Sequence, residues 1–360
     1  MVQPNRTDRC RRTTALCEMT GTAFTVHAPG RVNLIGDHTD YAGGLALPCA
    51  IDLGITISGT HQQGRVELRS DALADIVAFD LDAATNIASI QPQWGRYIAA
   101  VAQELKSDQG FTASVISTLP TGAGLSSSAA LEIASALSFG FTGSPMDLAL
   151  VGQRAELAAV GVPCGLLDQL SIVFGRAGYA MVIDFTDNAI EHVAFPDDLD
   201  IVVLHSGQER DLADSQYAER RAMCELATER IGPLASASST DINSLTGDMQ
   251  RRARHVASEC ERVRQAAVAL RDNDPTTVGQ LMTQSHASLR DDFDVSTPVL
   301  NELVERLNST PGVYGSRLTG AGFGGCVVAL SERGAISDPN AISGRGWIVH
   351  PSDGARQLTL

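Results

Sequence analysis

Between residues 23 and 81, β-branched and apolar residues come in short runs punctuated by glycine, at 24–27, 45–57, 65–69 and 76–81, a pattern that predicts strands and turns. The period then changes. From 94 to 105, Tyr97, Ile98, Val101 and Leu105 recur at helical spacing on one face. Residues 111–119 read as another strand, which runs into Gly122-Ala123-Gly124-Leu125-Ser126-Ser127-Ser128; beyond it Leu131, Ala134, Leu137 and Ser138 fit a helix that begins at the serines. A helix over 146–160, a glycine-rich break, a second helical piece and strands over 179–185 and 199–205 follow. The remainder is mainly helical, over 211–230, 253–271, 276–291 and 298–307, before a glycine-rich turn feeding a strand across 316–330 and a last strand at 346–350. Thr297 and Pro298 suit the N-cap and first turn of the 298–307 helix, with Leu300, Leu303, Val304 and Leu307 as its buried stripe. The class is α+β or mixed α/β, without repeats. The polar hinge Pro196-Asp197-Asp198 divides an N-terminal domain, 23–196, from a C-terminal one, 197–360, and residues 1–22 read as a disordered leader.

At 360 residues, 44% apolar, the chain has enough material for two cores. A formal charge of −15 argues against nucleic-acid or anionic-membrane partners, which reward clustered Lys and Arg. Lys106 is the only lysine, so an anionic ligand has to be gripped by other means. Seven cysteines without a C-x-x-C pair favour reduced thiols in a cytoplasmic protein. No run of about 20 apolar residues suits a membrane span. The first 18 residues carry Arg6, Arg9, Arg11 and Arg12 but no apolar run, so they do not read as a secretory signal, and Met19 is an alternative start to Met1.

Residues 28–41 then stand out, because Arg31, Asp37, His38 and Asp40 crowd a segment that otherwise reads as a buried strand entering a turn. An Arg31–Asp40 ion pair and a merely hydrogen-bonded His38 are the structural alternatives. The 122–128 turn is the strongest phosphate signal: its glycines let successive N–H groups point inward and a helix N-terminus adds unpaired donors. It is not a Walker A loop, since no Lys follows the last glycine; a serine-capped strand–helix turn is the alternative. Gly320-Ala321-Gly322-Phe323-Gly324-Gly325 matches G-x-G-x-x-G, but the glycines precede their strand, so it is either a turn shaping a pocket or a structural hairpin. Asp168 in the glycine-rich break and Glu156 on the preceding helix gain interest only through this company. No His/Cys cluster suggests zinc.

Taken together, residues 29–41, 120–131 and 318–328 resemble the three signature motifs of the GHMP small-molecule kinases, and 163–169, 201–221, 255–263 and 285–292 fit the same family. The resemblance covers about residues 24–356. It implies an α+β, two-domain GHMP kinase fold, the N-terminal half like ribosomal protein S5 domain 2 and the C-terminal half ferredoxin-like. It also implies ATP- and Mg²⁺-dependent phosphorylation of the anomeric hydroxyl of a sugar, galactose first. A related sugar or sugar-like alcohol is the alternative substrate, and a catalytically inactive sugar and ATP sensor is the alternative from another class.

On this resemblance Asp168 takes the proton of the anomeric hydroxyl, and Arg31 stands near the transferred phosphoryl group and keeps Asp168 ionised. Gly122, Ala123, Gly124, Leu125, Ser126, Ser127 and Ser128 wrap the ATP phosphates, with Trp94 near the adenine. Ser128 and Glu156 hold Mg²⁺ as hard oxygen ligands. Asp37, His38, Asp40, Gly165 and Tyr217 read the sugar hydroxyls, and a monomer is favoured. Asp37 departs from the Glu usual in galactose-phosphorylating members, Ala42 from a frequent Asn, and a Phe-Gly pair usual before the first motif is missing.

Overall fold

The computed structural model describes residues 21–73, 75–82, 86–120, 122–161, 164–208 and 213–359, and the side chains of 213–215 are not among them. Most of the expected leader, with Met19, therefore lies outside the described residues, as do Thr121 and Pro163.

The first strand, β1 (Ala23–Ile35), takes in most of the charged motif and is buried from Ala28 onward. It pairs antiparallel with β2 (Leu45–Gln63), with register shifts at Pro29/Gly30 and Asn33/Ile35. Gly30 is required by packing: a Cβ there would meet Leu125 O at 2.7 Å and the Leu119 side chain, where the Arg31 N–H donates to Leu125 O at 3.2 Å. The glycine–serine loop can thus lie directly on β1.

β3 (Arg65–Ser70), β4 (Val77–Asp80), α1 (Gly95–Leu105), β5 (Gln109–Ser117), α2 (Ser127–Ser138), α3 (Pro145–Val160), α4 (Leu167–Phe174), β6 (Tyr179–Asp184) and β7 (Ala189–Ala194) follow. β8 (Leu199–His205), α5 (Ala213–Ile231), α6 (Ser239–Ser244), α7 (Gly247–Arg271), α8 (Pro275–Asp291), α9 (Pro298–Asn308), β9 (Val313–Thr319), β10 (Cys326–Glu332), α10 (Asn340–Ser343), β11 (Gly346–Val349) and β12 (Arg356–Gln357) complete the chain. An eight-stranded sheet runs β12-β1-β2-β5-β3-β4, with β6 and β7 branching from the start of β2. The second sheet is antiparallel, β11-β8-β10-β9. α2 and α4 pack on β1 and β2, and α8 and α9 on β9.

Sequence periodicity located most of these elements. β7 is an addition: only Val193 is buried in it, so it carries no apolar run. β9 is another, because Gly315, Ser316 and Arg317 form strand only by pairing with β10. α9 has the expected Thr297 cap, bonded to the Leu300 N–H at 3.3 Å, and buries all four stripe residues, each worth roughly 1.5–3 kcal/mol. The hinge at 196–198 falls between β7 in the large sheet and β8 in the small one, whereas β12 pairs with β1 in the large sheet.

The halves are pinned together at the turn after β1. Glu259 of α7, wholly buried, accepts the Gly36 N–H at 2.9 Å, a bond from the Ser285 hydroxyl and an ion pair from Arg262 at 2.7 Å. Burial pushes its carboxyl up, but the Arg262 and Arg317 guanidiniums and Ser285 outweigh this and bring it down to about 2. Because the folded value is depressed, this stabilisation is complete above the unfolded value near 4.5 and fades as pH falls toward 2. Glu259→Gln should cost about 3 kcal/mol in urea unfolding at pH 7, and the gap to the parent should narrow below pH 4.5.

Candidate active site

Arg31 points from β1 toward the start of α4, with its side chain 7% exposed. Its Nε donates to Asp168 Oδ1 at 2.8 Å, Nη2 approaches the same oxygen at 2.5 Å, and Nη1 donates to Gly124 O at 2.7 Å. Asp168 lies in the first turn of α4, where a carboxylate is favoured by the unpaired N–H groups. Its Oδ2 accepts from the Ser126 hydroxyl. The Asp168 carboxyl is thus gripped from two sides yet keeps 27% of its side chain exposed toward a cavity.

Ser126 is held in the left-handed region, φ 61°, and its hydroxyl makes no capping bond to α2. The serine-cap alternative is therefore not what folds here: the hydroxyl serves Asp168, and no Ser126 side-chain acceptor answers the first N–H groups of α2. Such a helix start is suited to an anion. Gly122 and Gly124 take positive φ, while Ala123 and Leu125 turn their side chains into the core. Ser127 opens α2, and Ser128 Oγ donates to Glu156 Oε1 at 3.0 Å. Glu156 Oε2 accepts from Gln169 Nε2 at 2.8 Å and from the Cys164 thiol at 3.2 Å. Burial, then the charge of Asp168, pushes the Glu156 carboxyl up. Ser128 and Glu156 present adjacent hard oxygens, a donor set that suits a divalent cation such as Mg²⁺; among the described residues no group of three His, Cys, Asp or Glu could hold a metal by itself.

Across the cavity stand the remaining motif residues. His38, at φ 64°, uses both ring nitrogens: Nε2 donates to Ala321 O at 3.1 Å and Nδ1 accepts from the Tyr41 hydroxyl at 2.9 Å. Burial lowers it to about 3, so the ring is neutral. Tyr217 of α5 packs on His38 and Tyr41, ring centroids 5.6 and 5.5 Å away. Gly165 has to be glycine, since a Cβ would fall inside the Asp40 carboxylate. Asp37 is buried and bound by Arg317 Nη2 at 2.5 Å.

These groups enclose about 230 Å³, lined by Arg31, Asp37, His38, Asp40, Glu156, Cys164, Gly165, Asp168, Gln169, Tyr217, Gly320 and Ala321. The 320–325 turn joins β9 to β10 and also shapes this cavity, so both readings of that motif are realised together. The structural alternative of an Arg31–Asp40 ion pair does not form; Arg31 pairs with Asp168. Trp94 heads α1 with its ring against the core, its Nε1 buried without a partner among the described residues, and it is not among the lining residues. Arg317, Cys164 and Gln169 were missed. Adjacency to Asp168 was the available signal for Gln169, whereas Arg317, in the Gly-Ser-Arg stretch of β9, offered none.

The galactokinase galactose-binding signature matches residues 17–61, the GHMP kinases N terminal domain 95–176 and the GHMP kinases C terminal domain 266–339. A galactokinase of Roseiflexus sp. (strain RS-1) is 43% identical over 331 residues, 86% of this chain and 84% of the relative. The Homo sapiens galactokinase is 38% identical over 368 residues, 94% and 93% of the two chains. The crystal structure of Lactococcus lactis galactokinase complexed with galactose superposes with a TM-score of 0.87 at 31% identity, covering 93% of this chain and 95% of that one. Methanococcus jannaschii mevalonate kinase, 21% identical with a TM-score of 0.69 over 93% and 100% of the chains, shares the fold.

Burial, then the charge of Asp168, raises Asp40 to about 6. In a ¹³C NMR titration of the ligand-free protein the Asp40 carboxyl should titrate near 6, and Asp168→Asn should lower that midpoint while leaving it above 3.8.

Proposed function

The chain belongs to the galactokinase family of the GHMP kinases, and from that premise we propose how its cavity transfers the γ-phosphoryl group of ATP to the anomeric hydroxyl of galactose. The observation that carries the reading is the Arg31–Asp168 pair facing a polar cavity, directly beside a helix start without a serine cap.

Asp168 accepts the proton of the sugar hydroxyl. Its Oδ1 is occupied by Arg31 and its Oδ2 by Ser126, so the carboxylate cannot swing and presents its free lone pairs to the cavity. Arg31 is braced by Gly124 O and Asp168, which leaves a fixed positive charge beside the place where the phosphoryl transition state spreads its negative charge. The backbone of the 122–128 loop and the first turn of α2 take the ATP phosphates, a grip that needs no lysine. Ser128 and Glu156 would hold Mg²⁺, which neutralises phosphate charge when bound.

Asp37, His38, Asp40, Gly165 and Tyr217 form the sugar side. His38 is neutral and locked by two hydrogen bonds, so its role there is orientation rather than proton transfer. Asp40 binds hydroxyls best when ionised, so sugar affinity falls as pH drops through about 6. The reading places the reaction in the cytoplasm, in keeping with the reduced thiols of Cys49, Cys164, Cys224 and Cys260. Among the described residues, no helix is long and apolar enough to cross a membrane.

The purified protein, supplied with ATP and Mg²⁺ and screened against galactose, glucose, arabinose, galacturonate and N-acetylgalactosamine, should release ADP fastest with galactose; negligible turnover with galactose beside good turnover with another sugar overturns the choice. Asp168→Asn should reduce kcat by about 10³-fold while galactose affinity, read by calorimetry, changes only a few-fold. Turnover near that of the parent would remove Asp168 as the base.

A further inference from the structure

Arg317 is wholly buried on β9 and lies behind the cavity, not in its lining. Burying a guanidinium is costly, and a well-packed apolar side chain often serves stability as well. Two other buried arginines show what a structural use looks like in this chain. Arg220 donates to Phe293 O and Asp294 O, each at 3.0 Å, and Arg252 donates to Asp292 O, so both fasten the backbone that follows α8. Arg317 fastens no backbone carbonyl among the described residues: its Nη2 binds Asp37 Oδ2 at 2.5 Å, while Nε and Nη1 have no partner among them. Glu259, another buried carboxylate that feels its charge, has its own ion pair to Arg262.

The guanidinium is held still by its strand. Residues 317 and 319 project from the same face of β9, and Thr319 Oγ1 donates to Asn33 O at 3.1 Å, which bolts β9 to β1 a few positions before Asp37. Between them the Leu318 N–H donates to His286 Nδ1 at 3.3 Å. α8 lies directly on the strand, since a Cβ at Gly315 would fall 1.9 Å from Gly279 O. Asp37 is therefore aimed by a fixed charge. Its Oδ2 is taken by Arg317, and Oδ1 meets no protein donor among the described residues, although the side chain lines the cavity. A carboxylate so placed can only accept, and a buried acceptor left empty is penalised.

We propose that Arg317 is a specificity-determining positioning residue: by holding Asp37 Oδ2 it aims Oδ1 at one hydroxyl of the sugar, and so makes the site demand a donor at that position. The inference rests on the reading of Asp37 as a sugar contact. Arg317 acts through Asp37 and makes no contact with the Arg31–Asp168 pair, so its loss changes recognition and spares the chemical step.

The test measures kcat and KM for galactose and for its 2-, 3-, 4- and 6-deoxy analogues, all of which keep the anomeric hydroxyl. One analogue should suffer the largest penalty in kcat/KM with the parent, and Asp37→Asn should shrink that penalty by about tenfold or more while the other three stay within about threefold. Arg317→Met should reproduce this pattern, raising the KM for galactose about tenfold with kcat within about threefold. Asp37→Asn/Arg317→Met, which loses both buried charges together, should match Asp37→Asn within about threefold for every analogue. If Asp37→Asn leaves all four penalties as in the parent, the sugar reading of Asp37 falls and the proposal with it. If Asp37→Asn shrinks one penalty and Arg317→Met keeps it, or alters all four alike, the role of Arg317 alone is overturned. A double variant more than about threefold below Asp37→Asn shows Arg317 acting apart from Asp37, which overturns that role too; this comparison stands even if Arg317→Met does not fold.

Discussion

The turn that follows β1 is held by four groups from the C-terminal half, and the site depends on that grip. Glu259 accepts the Gly36 N–H, His255 Nε2 donates to Asp37 O at 3.1 Å, Arg317 binds the Asp37 carboxylate, and Ala321 O accepts from His38. Glu259, His255 and Arg317 are buried, so their bonds are made at low local dielectric and cannot be exchanged for water without loss. One short stretch of chain thereby sets two things at once. β1 delivers Arg31 to the side of the cavity proposed for the phosphoryl group, and the clamped turn delivers Asp37, His38 and Asp40 to the side proposed for the sugar. The two sets of groups share a frame whose stiffness comes from both halves, and this is how a reaction that relies on alignment obtains its geometry.

Electrostatics explain the division of labour inside that frame. The cavity brings Asp37, Asp40, Glu156 and Asp168 together, and like charges in a buried place cannot all stay ionised at no cost. Cations are assigned unequally: Arg31 to Asp168 and Arg317 to Asp37, with none bonded to Asp40 or Glu156 among the described residues. Both carboxyls without a guanidinium, Asp40 and Glu156, are weakened as acids, first by burial and then by the charge of Asp168. One faces the place proposed for the sugar hydroxyls and the other the place proposed for a divalent ion, so ligands would supply what the protein withholds.

Much of this was legible in the sequence where rare residue types crowd together. Arg31, Asp37, His38 and Asp40 within one apolar stretch, and three serines after a Gly-Ala-Gly, announce themselves because neither packing nor capping alone calls for them. The partner of Arg31 was not legible from spacing, since Asp40 is near in sequence and Asp168 is near in space. Arg317 and Gln169 matter through complete burial, which is a property of how helices and sheets meet and leaves no local periodicity. β9 was missed for a related reason: Gly315, Ser316 and Arg317 are poor strand formers that the register with β10 and the packing of α8 overrule. The Asp37 departure looked like a question of reach toward the sugar. The ion pair adds that the shorter carboxylate is also anchored from behind, with Arg317 Nε and Nη1 left unpartnered among the described residues.

β12 brings a consequence of another kind. Gln357 and Arg356 pair with Val26 and His27, partners more than three hundred positions apart, and Pro351 bridges Ile51 nearby. Until that stretch has left the ribosome, β1 presents an open edge, with backbone donors and acceptors ready for any passing strand. The strand that carries Arg31 is therefore closed at that edge only by a segment synthesised more than three hundred residues later, and it stays exposed there in the interval.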